Sequence, residues 1–296
     1  MRKLLSGLWR IITFPFRLLA KIFRSISRWF KNIYSSVHHL LSDEPEDEPL
    51  PDTFVKTLEN PMGLFEHINA LRKHLFRAVA FLGITTIFSL LFAQQIIDLL
   101  AEPIGGIEGL VAIDVTEPIS VFMRVSLLSG FILALPYIAF ELWLFAAPGL
   151  SRKSRILGLL AIPAVVLFFL SGVLFTYFVI LPEAIPILLN FLGIETIPRP
   201  STYIGFVTSL LFWIGLSFEF PLIIYILASL RIIEAKSLAR QWRLAIVIIA
   251  VVAAAITPTI DPITMSLTMI PLIILFFISV ALAFFEEEND QGDHCQ

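Results

Sequence analysis

Residues 156–181 read ILGLLAIPAVVLFFLSGVLFTYFVIL and contain no charged side chain. A helix needs about 20 predominantly apolar residues to cross the hydrocarbon core of a bilayer. This stretch is long enough to cross, and it is too long and too apolar for an ordinary strand or surface helix. It therefore predicts a transmembrane helix and decides the fold class.

Five further apolar runs lie on either side of this segment, and together they predict an all-α polytopic membrane protein. The chain of 296 residues is 57% hydrophobic and only 15% charged, against about 25% charged residues in soluble domains. The apolar run that forms the fifth span, 244–256, is short. This span must therefore include flanking residues, thin the bilayer around it or lie inside the bundle. We predict six spans, at about 77–95, 120–147, 156–181, 203–230, 242–257 and 262–285.

The distribution of lysine and arginine between the short loops predicts the orientation. Cytoplasmic loops are enriched in these residues. One set of loops carries ten of them and the opposite set carries one, so both termini are predicted in the cytoplasm. The ten are Arg72, Lys73, Arg77, Arg152, Lys153, Arg155, Arg231, Lys236, Arg240 and Arg243, and the one is Arg199.

The remaining segments outside the spans differ sharply in charge. Residues 1–42 carry eight basic and no acidic side chains, with a basic stripe beside an aromatic and aliphatic face, which predicts an amphipathic helix on an anionic membrane surface. Residues 43–61 form an acidic, proline-rich linker. The six-span domain follows at 62–285, and residues 286–296 form an acidic cytoplasmic tail.

Two carboxylates lie inside predicted spans, where an unpaired charge is costly. Glu219 precedes Pro221, and it either titrates or binds a partner in a polar concavity or hydrogen-bonds a neighbouring helix. Glu141 lies near the cytoplasmic end of span two, where it either reaches the interface or belongs to the same intramembrane polar site. In the outer loops we expect structural roles for Pro103, Glu117, Pro118 and Asp261.

Motifs for catalysis and for cofactor binding are missing from the sequence. It has no Walker loop, dinucleotide fingerprint, His-Glu-x-x-His or Gly-x-Ser-x-Gly. Cys295 is the single cysteine, and His67 and His74 are two helical turns apart, too far to share a metal ion. We therefore predict a protein that is not an enzyme and has no cofactor, no metal site and no nucleic-acid partner.

Several motifs, in order, resemble the TatC family, the multi-spanning core subunits of the twin-arginine protein translocase. Residues 65–75 (FEHINALRKHL) resemble the family's opening motif, and 141–150 (ELWLFAAPGL) and 215–221 (GLSFEFP) resemble its Glu-x-Trp-x-Phe-x-x-Pro-Gly-Leu and Gly-x-x-Phe-Glu-x-Pro. Shorter matches are 102–104 (EPI), 116–118 (TEP), 257–258 (TP), 261–262 (DP) and 271–272 (PL). The resemblance covers about 63–285.

The resemblance implies a Sec-independent translocase subunit in a bacterial-type cytoplasmic (inner) membrane. Such a subunit binds twin-arginine signal peptides and, with TatA- and TatB-type single-span partners in a Tat complex, exports folded proteins using the proton-motive force. It is expected to act in a homo- or hetero-oligomer. The signal-peptide surface would comprise Glu66, His67, Leu71, Arg72, Phe145, Pro148, Gly149, Leu150 and Arg152.

The sequence departs from the family at three glutamate positions, which fall on Ala70, Ser154 and Phe277. Carboxylates are the expected partners of two guanidinium groups, since they accept bidentate hydrogen bonds. Glu66, one turn before Ala70, is the first candidate replacement, and residues 286–288 and 43–52 are others. Two other functions remain open: an ion-coupled small-solute transporter that uses Glu219, and a repurposed scaffold that does not transport.

Overall fold

The structure is a computed structural model that describes residues 61–150, 152–190, 196–229, 232–256 and 262–293. Side chains are described from His67 to Phe285 within these ranges, except at 152–153 and 262–264. The predicted helix at 1–42, the linker up to residue 60 and Asp261 lie outside the described residues.

The described secondary structure is entirely helical, so the predicted all-α class is confirmed. A π turn at Thr176–Ile180 joins α4 to α5, two 3-10 turns follow α2, and one 3-10 turn follows α3. The helices are α1 Pro61–Ser89, α2 Ala93–Ala101, α3 Glu117–Ala146, α4 Arg152–Phe175, α5 Leu181–Leu189, α6 Pro200–Ser217, α7 Phe220–Ser229, α8 Ala235–Arg240, α9 Trp242–Ile256 and α10 Pro262–Asp293.

Four helical stretches are long and apolar enough to cross a membrane, which agrees with a polytopic membrane protein. They are 117–149, 154–189, 200–229 and 265–285. The helices α1 and α2 make a fifth only if the pair, bent by 75°, is one span. The predicted span at 77–95 thus covers a bend, and α9 has only 15 residues. Six crossings therefore stay a prediction.

The helix α6 lies at the centre of the bundle and packs against α3 and α4. Its side chains Ile204, Val207 and Ile214 are fully buried. Gly215 of α6 meets Gly172 of α4 so closely that a Cβ on Gly172 would lie 2.8 Å from the Gly215 Cα. Small residues allow helix backbones to approach in this way when water is absent.

The helices α1 and α3 make a second close contact. The Thr85 hydroxyl donates a buried hydrogen bond of 2.8 Å to the carbonyl oxygen of Gly130. A Cβ on Gly130 would lie 2.6 Å from the Cα of Thr86. The backbones therefore touch here, and the contact holds α1 against α3.

We predict that Gly130→Ala destabilises the protein by about 1–3 kcal/mol, because the added methyl group meets backbone that must shift. Gly83→Ala is the matched control: Gly83 is an exposed position of α1 with nothing within 4 Å of an added Cβ. The control should leave stability unchanged or raise it by up to about 1 kcal/mol. Unfolding in detergent measures both variants, and equal midpoints would contradict the close contact.

Candidate functional site

The start of α1 and the end of α3 form a continuous seam, in which the two helices run antiparallel. The ring centroids of His67 and Phe145 are 4.6 Å apart, and those of His74 and Phe145 are 6.2 Å apart. Further along α1, the Phe81 ring lies 4.3 Å from the Tyr137 ring. We call residues 67–81 of α1 and 137–145 of α3 the α1–α3 seam.

Glu141 lies in the middle of this seam and is only 2% exposed. Its Oε2 is 2.6 Å from Nδ1 of His74, and its Oε1 accepts a hydrogen bond from the Tyr137 hydroxyl. The guanidinium of Arg77 lies further away, with Nη1 3.9 Å from Oε2. Both carboxylate oxygens therefore have a partner, and one partner comes from the neighbouring helix.

This arrangement differs from the expectation that Glu141 reaches the interface or joins an open polar site. A buried carboxylate is tolerated when it is paired and hydrogen-bonded. His74 supplies the pairing group from α1, and Tyr137 supplies the second hydrogen bond from one turn earlier on α3. The result is a cross-link between α1 and α3 rather than a free acid.

The turn between α3 and α4 is fixed by Arg155, one of the basic residues that predict the orientation. Arg155 is 4% exposed, and its Nε donates a hydrogen bond of 2.8 Å to the carbonyl oxygen of Ala147. The indole Nε1 of Trp143 donates in turn to the carbonyl oxygen of Arg155 at 3.0 Å. The Ala147 carbonyl also accepts the backbone N–H of Leu150 at 3.1 Å, so the guanidinium adds a second bond to a carbonyl at the end of the helix.

The predicted signal-peptide residues gather at this end of the bundle, which we call the basic end. They occupy the start of α1, the end of α3 with the turn after it, and the first residue of α4. Glu66 and Arg152 lie on described helical backbone, but their side chains are outside the described residues. The exposed members are His67, Leu71, Arg72, Pro148 and Gly149, and Phe145 and Leu150 are half-buried.

Ala70 and Ser154, two of the three positions at which this chain lacks a family glutamate, also lie at the basic end. Ala70 is half-buried on α1, about one turn from both His67 and His74. Ser154 lies in the first turn of α4. The carboxylate of Glu141, which His74 holds, is thus close to Ala70 along the seam but is already paired.

Glu219 lies where the fourth predicted span breaks, between α6 and α7. It is 5% exposed, and its Oε1 has no hydrogen-bond partner among the described residues. Pro221 follows in the first turn of α7 and has no backbone N–H to donate to the preceding helical turn. Glu219 and Glu141 therefore differ, since Glu141 is fully paired within the chain.

At the opposite end of the bundle, the loop between α2 and α3 meets the residues before α6. Glu117 is 6% exposed, and its Oε1 lies 3.5 Å from Nε of Arg199. Asp114 accepts hydrogen bonds from the backbone N–H and the hydroxyl of Thr116, at 2.9 and 3.0 Å. These bonds, the backbone one foremost, hold the pKa of Asp114 below its usual value. The loop is thus an ordered cap.

The prolines of this cap start helical turns, as expected for residues with a fixed φ and no backbone donor. Pro118 is in the first turn of α3. Pro103 is in the 3-10 turn Glu102–Ile104, which ends at Gly105 with a left-handed φ of 86°. The backbone amide of Val111 then donates to the carbonyl of Pro198 at 3.3 Å, joining the two loops.

The partners of Glu141 are not predicted from the sequence, although two signals for them are present. Tyr137 and Glu141 are four residues apart, so they share a helix face. The second signal is His74 itself, whose spacing from His67 excludes a shared metal ion and leaves its ring available to another partner. That His74 faces α3 depends on how α1 packs, which a single sequence does not determine.

Comparison with known proteins decides between the families that could have this architecture. A family model described as "Sec-independent protein translocase protein (TatC)" matches residues 66–271. The chain belongs to the TatC family. The match includes the α1–α3 seam, the turn after α3, the cap and Glu219.

Curated relatives and solved structures agree with this assignment. The TatC protein of Carboxydothermus hydrogenoformans is 35% identical over 77% of this chain and 95% of its own length. The TatC protein of Deinococcus radiodurans is 33% identical over 74% of this chain and 85% of its own length. A crystal structure of the twin-arginine translocase receptor TatC in the detergent DDM covers 73% of this chain and 99% of its own, at 32% identity and a TM-score of 0.67.

Proposed function

We propose that this TatC-family chain binds twin-arginine signal peptides at the basic end of the bundle. The observation that carries the proposal is the convergence of the start of α1 with the turn after α3, where the His67 ring packs on Phe145. The proposed surface comprises Glu66, His67, Leu71, Arg72, Phe145, Pro148, Gly149, Leu150 and Arg152. Its rigid base is the α1–α3 seam and the turn that Arg155 fixes.

Glu66 is the proposed acceptor of a guanidinium group in place of the family glutamate at Ala70. It lies on α1 one turn before Ala70, so both positions are on the same side of the helix. Glu141 is a poorer candidate, because a peptide arginine would have to displace His74 to reach it. The carboxylates at 286–288 and 43–52 remain weaker alternatives.

Glu219 is the proposed contact for TatA- or TatB-type single-span partners. Burying a carboxyl oxygen without a hydrogen-bond partner costs free energy. A hydrogen bond from a polar group of an incoming partner helix would offset this cost. Glu141 was grouped with Glu219 for this role, but its bonds within the chain favour a structural role instead.

The proposed topology has six crossings with both termini in the cytoplasm of a bacterial-type inner membrane. The bent pair α1–α2 would be the first crossing, and α9 would be the fifth. The described basic residues support this orientation, because Arg72, Lys73, Arg77 and Arg155 are at the basic end and Arg199 is at the opposite cap. Folded cargo would cross at the expense of the proton-motive force.

Complementation tests this function. The full chain, expressed in a bacterium without its own TatC protein, is expected to restore export of a folded reporter that carries a twin-arginine signal. Export should stop when the arginine pair is changed to lysine or when the proton gradient is collapsed. Export of both signals, or of neither while the chain assembles in the membrane, would favour the transporter or scaffold functions.

A further inference from the structure

A groove between α8, α9 and α10 shares no lining residue with the proposed signal-peptide surface, and Glu219 is not among its lining residues. Its volume is about 360 Å³, and its walls are apolar. Trp242 and Phe277 in these walls remain 43% and 50% exposed, so the groove is open to its surroundings. The lining residues are Ala239, Trp242, Phe276, Phe277 and Val280. Phe277 is also one of the three positions at which this chain lacks a family glutamate.

Basic side chains border the groove on the side of α8 and α9. The guanidinium of Arg243 lies 5.5 Å from the centroid of the Trp242 ring. Arg240 and Lys236 are exposed on α8, the helix that supplies Ala239, and Glu234 just before it is exposed as well. The ion pairs found within the described residues use none of these three basic side chains. This border therefore carries a net positive charge.

The helix α9 is short, and this places the basic border near the boundary between lipid headgroups and acyl chains. At about 1.5 Å per residue, its 15 residues span about 22 Å, less than the hydrocarbon thickness of about 30 Å. A short span is accommodated by local thinning of the bilayer or by flanking residues that reach the interface. The Trp242 end of α9 is therefore a place where an acyl chain and a headgroup both come within reach.

We propose that the groove binds an anionic phospholipid, with an acyl chain against Trp242 and Phe277 and the phosphate near Arg240 and Arg243. Basic pockets between transmembrane helices recognise anionic headgroups in this way. The basic segment 1–42 of the same chain is a poorer occupant, because like charges repel. The assignment of this lipid to the cytoplasmic leaflet rests on the topology proposed above.

The acidic residues of α10 limit the site to one side of the groove. Glu286, Glu287 and Glu288 come at least six residues after Val280, which is about 9 Å or more along the helix axis. The phosphate is therefore expected on the side of α8 and α9, and Arg243 is the residue to change first.

Native mass spectrometry of the purified full chain tests the proposal by counting retained lipids. The chain is titrated with phosphatidylglycerol or with phosphatidylcholine of the same acyl chains. We expect preferential retention of phosphatidylglycerol and an approximately fivefold weaker apparent affinity in Arg243→Gln, the effect of removing one basic residue near a lipid surface. Lys73→Gln, which removes an exposed basic residue from α1, is the matched control and should bind as the unchanged chain does.

A second variant tests the groove rather than the charge. Val280→Trp fills the groove while keeping every basic residue, and it should also reduce phosphatidylglycerol retention. Equal retention of the two lipids, equal affinity of Arg243→Gln and Lys73→Gln, or unchanged retention in a folded Val280→Trp protein would each overturn the proposal. Because the titration uses neither cargo nor partner subunits, its result is independent of whether the chain binds signal peptides.

Discussion

Replacing Glu141 with alanine is expected to lower the free energy of unfolding by about 3–5 kcal/mol. The substitution removes the carboxylate that bonds both the His74 nitrogen and the Tyr137 hydroxyl, so each of these groups loses a partner inside the seam. It also leaves a cavity between α1 and α3, because the Glu141 side chain that it removes is only 2% exposed in the intact protein.

Unfolding in detergent micelles measures this loss, with Glu108→Ala as the control. Glu108 is an exposed carboxylate in the cap, so its removal should change stability by no more than about 0.5 kcal/mol. The double variant Glu141→Ala, His74→Ala should be less destabilised than the sum of its single variants, because the two residues form one pair. Additive effects, or a Glu141→Ala protein as stable as Glu108→Ala, would contradict the pairing.

Replacing Glu219 with leucine is expected to reduce association with single-span partners at least tenfold while leaving the chain folded. The buried Oε1 of Glu219 has no hydrogen-bond partner among the described residues, and an apolar side chain of similar volume often replaces a buried charged group without loss of stability. The proposed partner contact, by contrast, would lose its one hydrogen-bonding group. A tenfold loss corresponds to about 1.4 kcal/mol, within the range for one hydrogen bond to a charged or polar group.

Co-purification with TatA- and TatB-type partners from membranes measures this association. Glu183→Leu is the control, because Glu183 is an exposed carboxylate in the first turn of α5. Its substitution should leave both association and the unfolding midpoint near those of the unchanged chain. If Glu219→Leu keeps its partners, or if it loses them only together with its fold, the proposed role of Glu219 is wrong.

The apolar and charge patterns were sufficient to predict the class and the main helices, because these features depend on local composition. The uncharged run at 156–181 falls within the continuous helical stretch 154–189. Pro148 and Gly149, residue types typical of turns, lie in the 3-10 turn that follows α3. The TatC resemblance, carried by short motifs at matching positions, is confirmed by the family match.

The features that depend on packing could not be predicted in the same way. The bend after Ser89 contains no proline or glycine, so the sequence around 90–92 carries no local signal for it. The pairing of Glu141 with His74 joins residues 67 positions apart. The burial of Arg155 likewise depends on how α4 folds back on the turn after α3.

The functional residues also differ in how far the sequence alone predicts them. A carboxylate at Glu219 was conspicuous in an apolar run, and the structure buries it with one unpaired oxygen. Only comparison with the family's motifs shows that Ala70 and Ser154 stand where the family has glutamate. Whether Glu66 replaces them depends on the bound peptide, and it stays a prediction that one experiment can decide.

Photo-crosslinking in native-like membranes tests the central claim, that the basic end binds twin-arginine signal peptides. Probes at Ala70 and Ser154 would be exposed to a twin-arginine signal peptide or to its Lys-Lys variant, with a probe at Val111 in the opposite cap as the control. We predict crosslinks at Ala70 and Ser154 that fall at least tenfold with the Lys-Lys peptide, since lysine cannot form bidentate bonds to a carboxylate, and none at Val111. Equal crosslinking by both peptides, or none at Ala70 and Ser154, would contradict the account and indicate a scaffold without twin-arginine recognition.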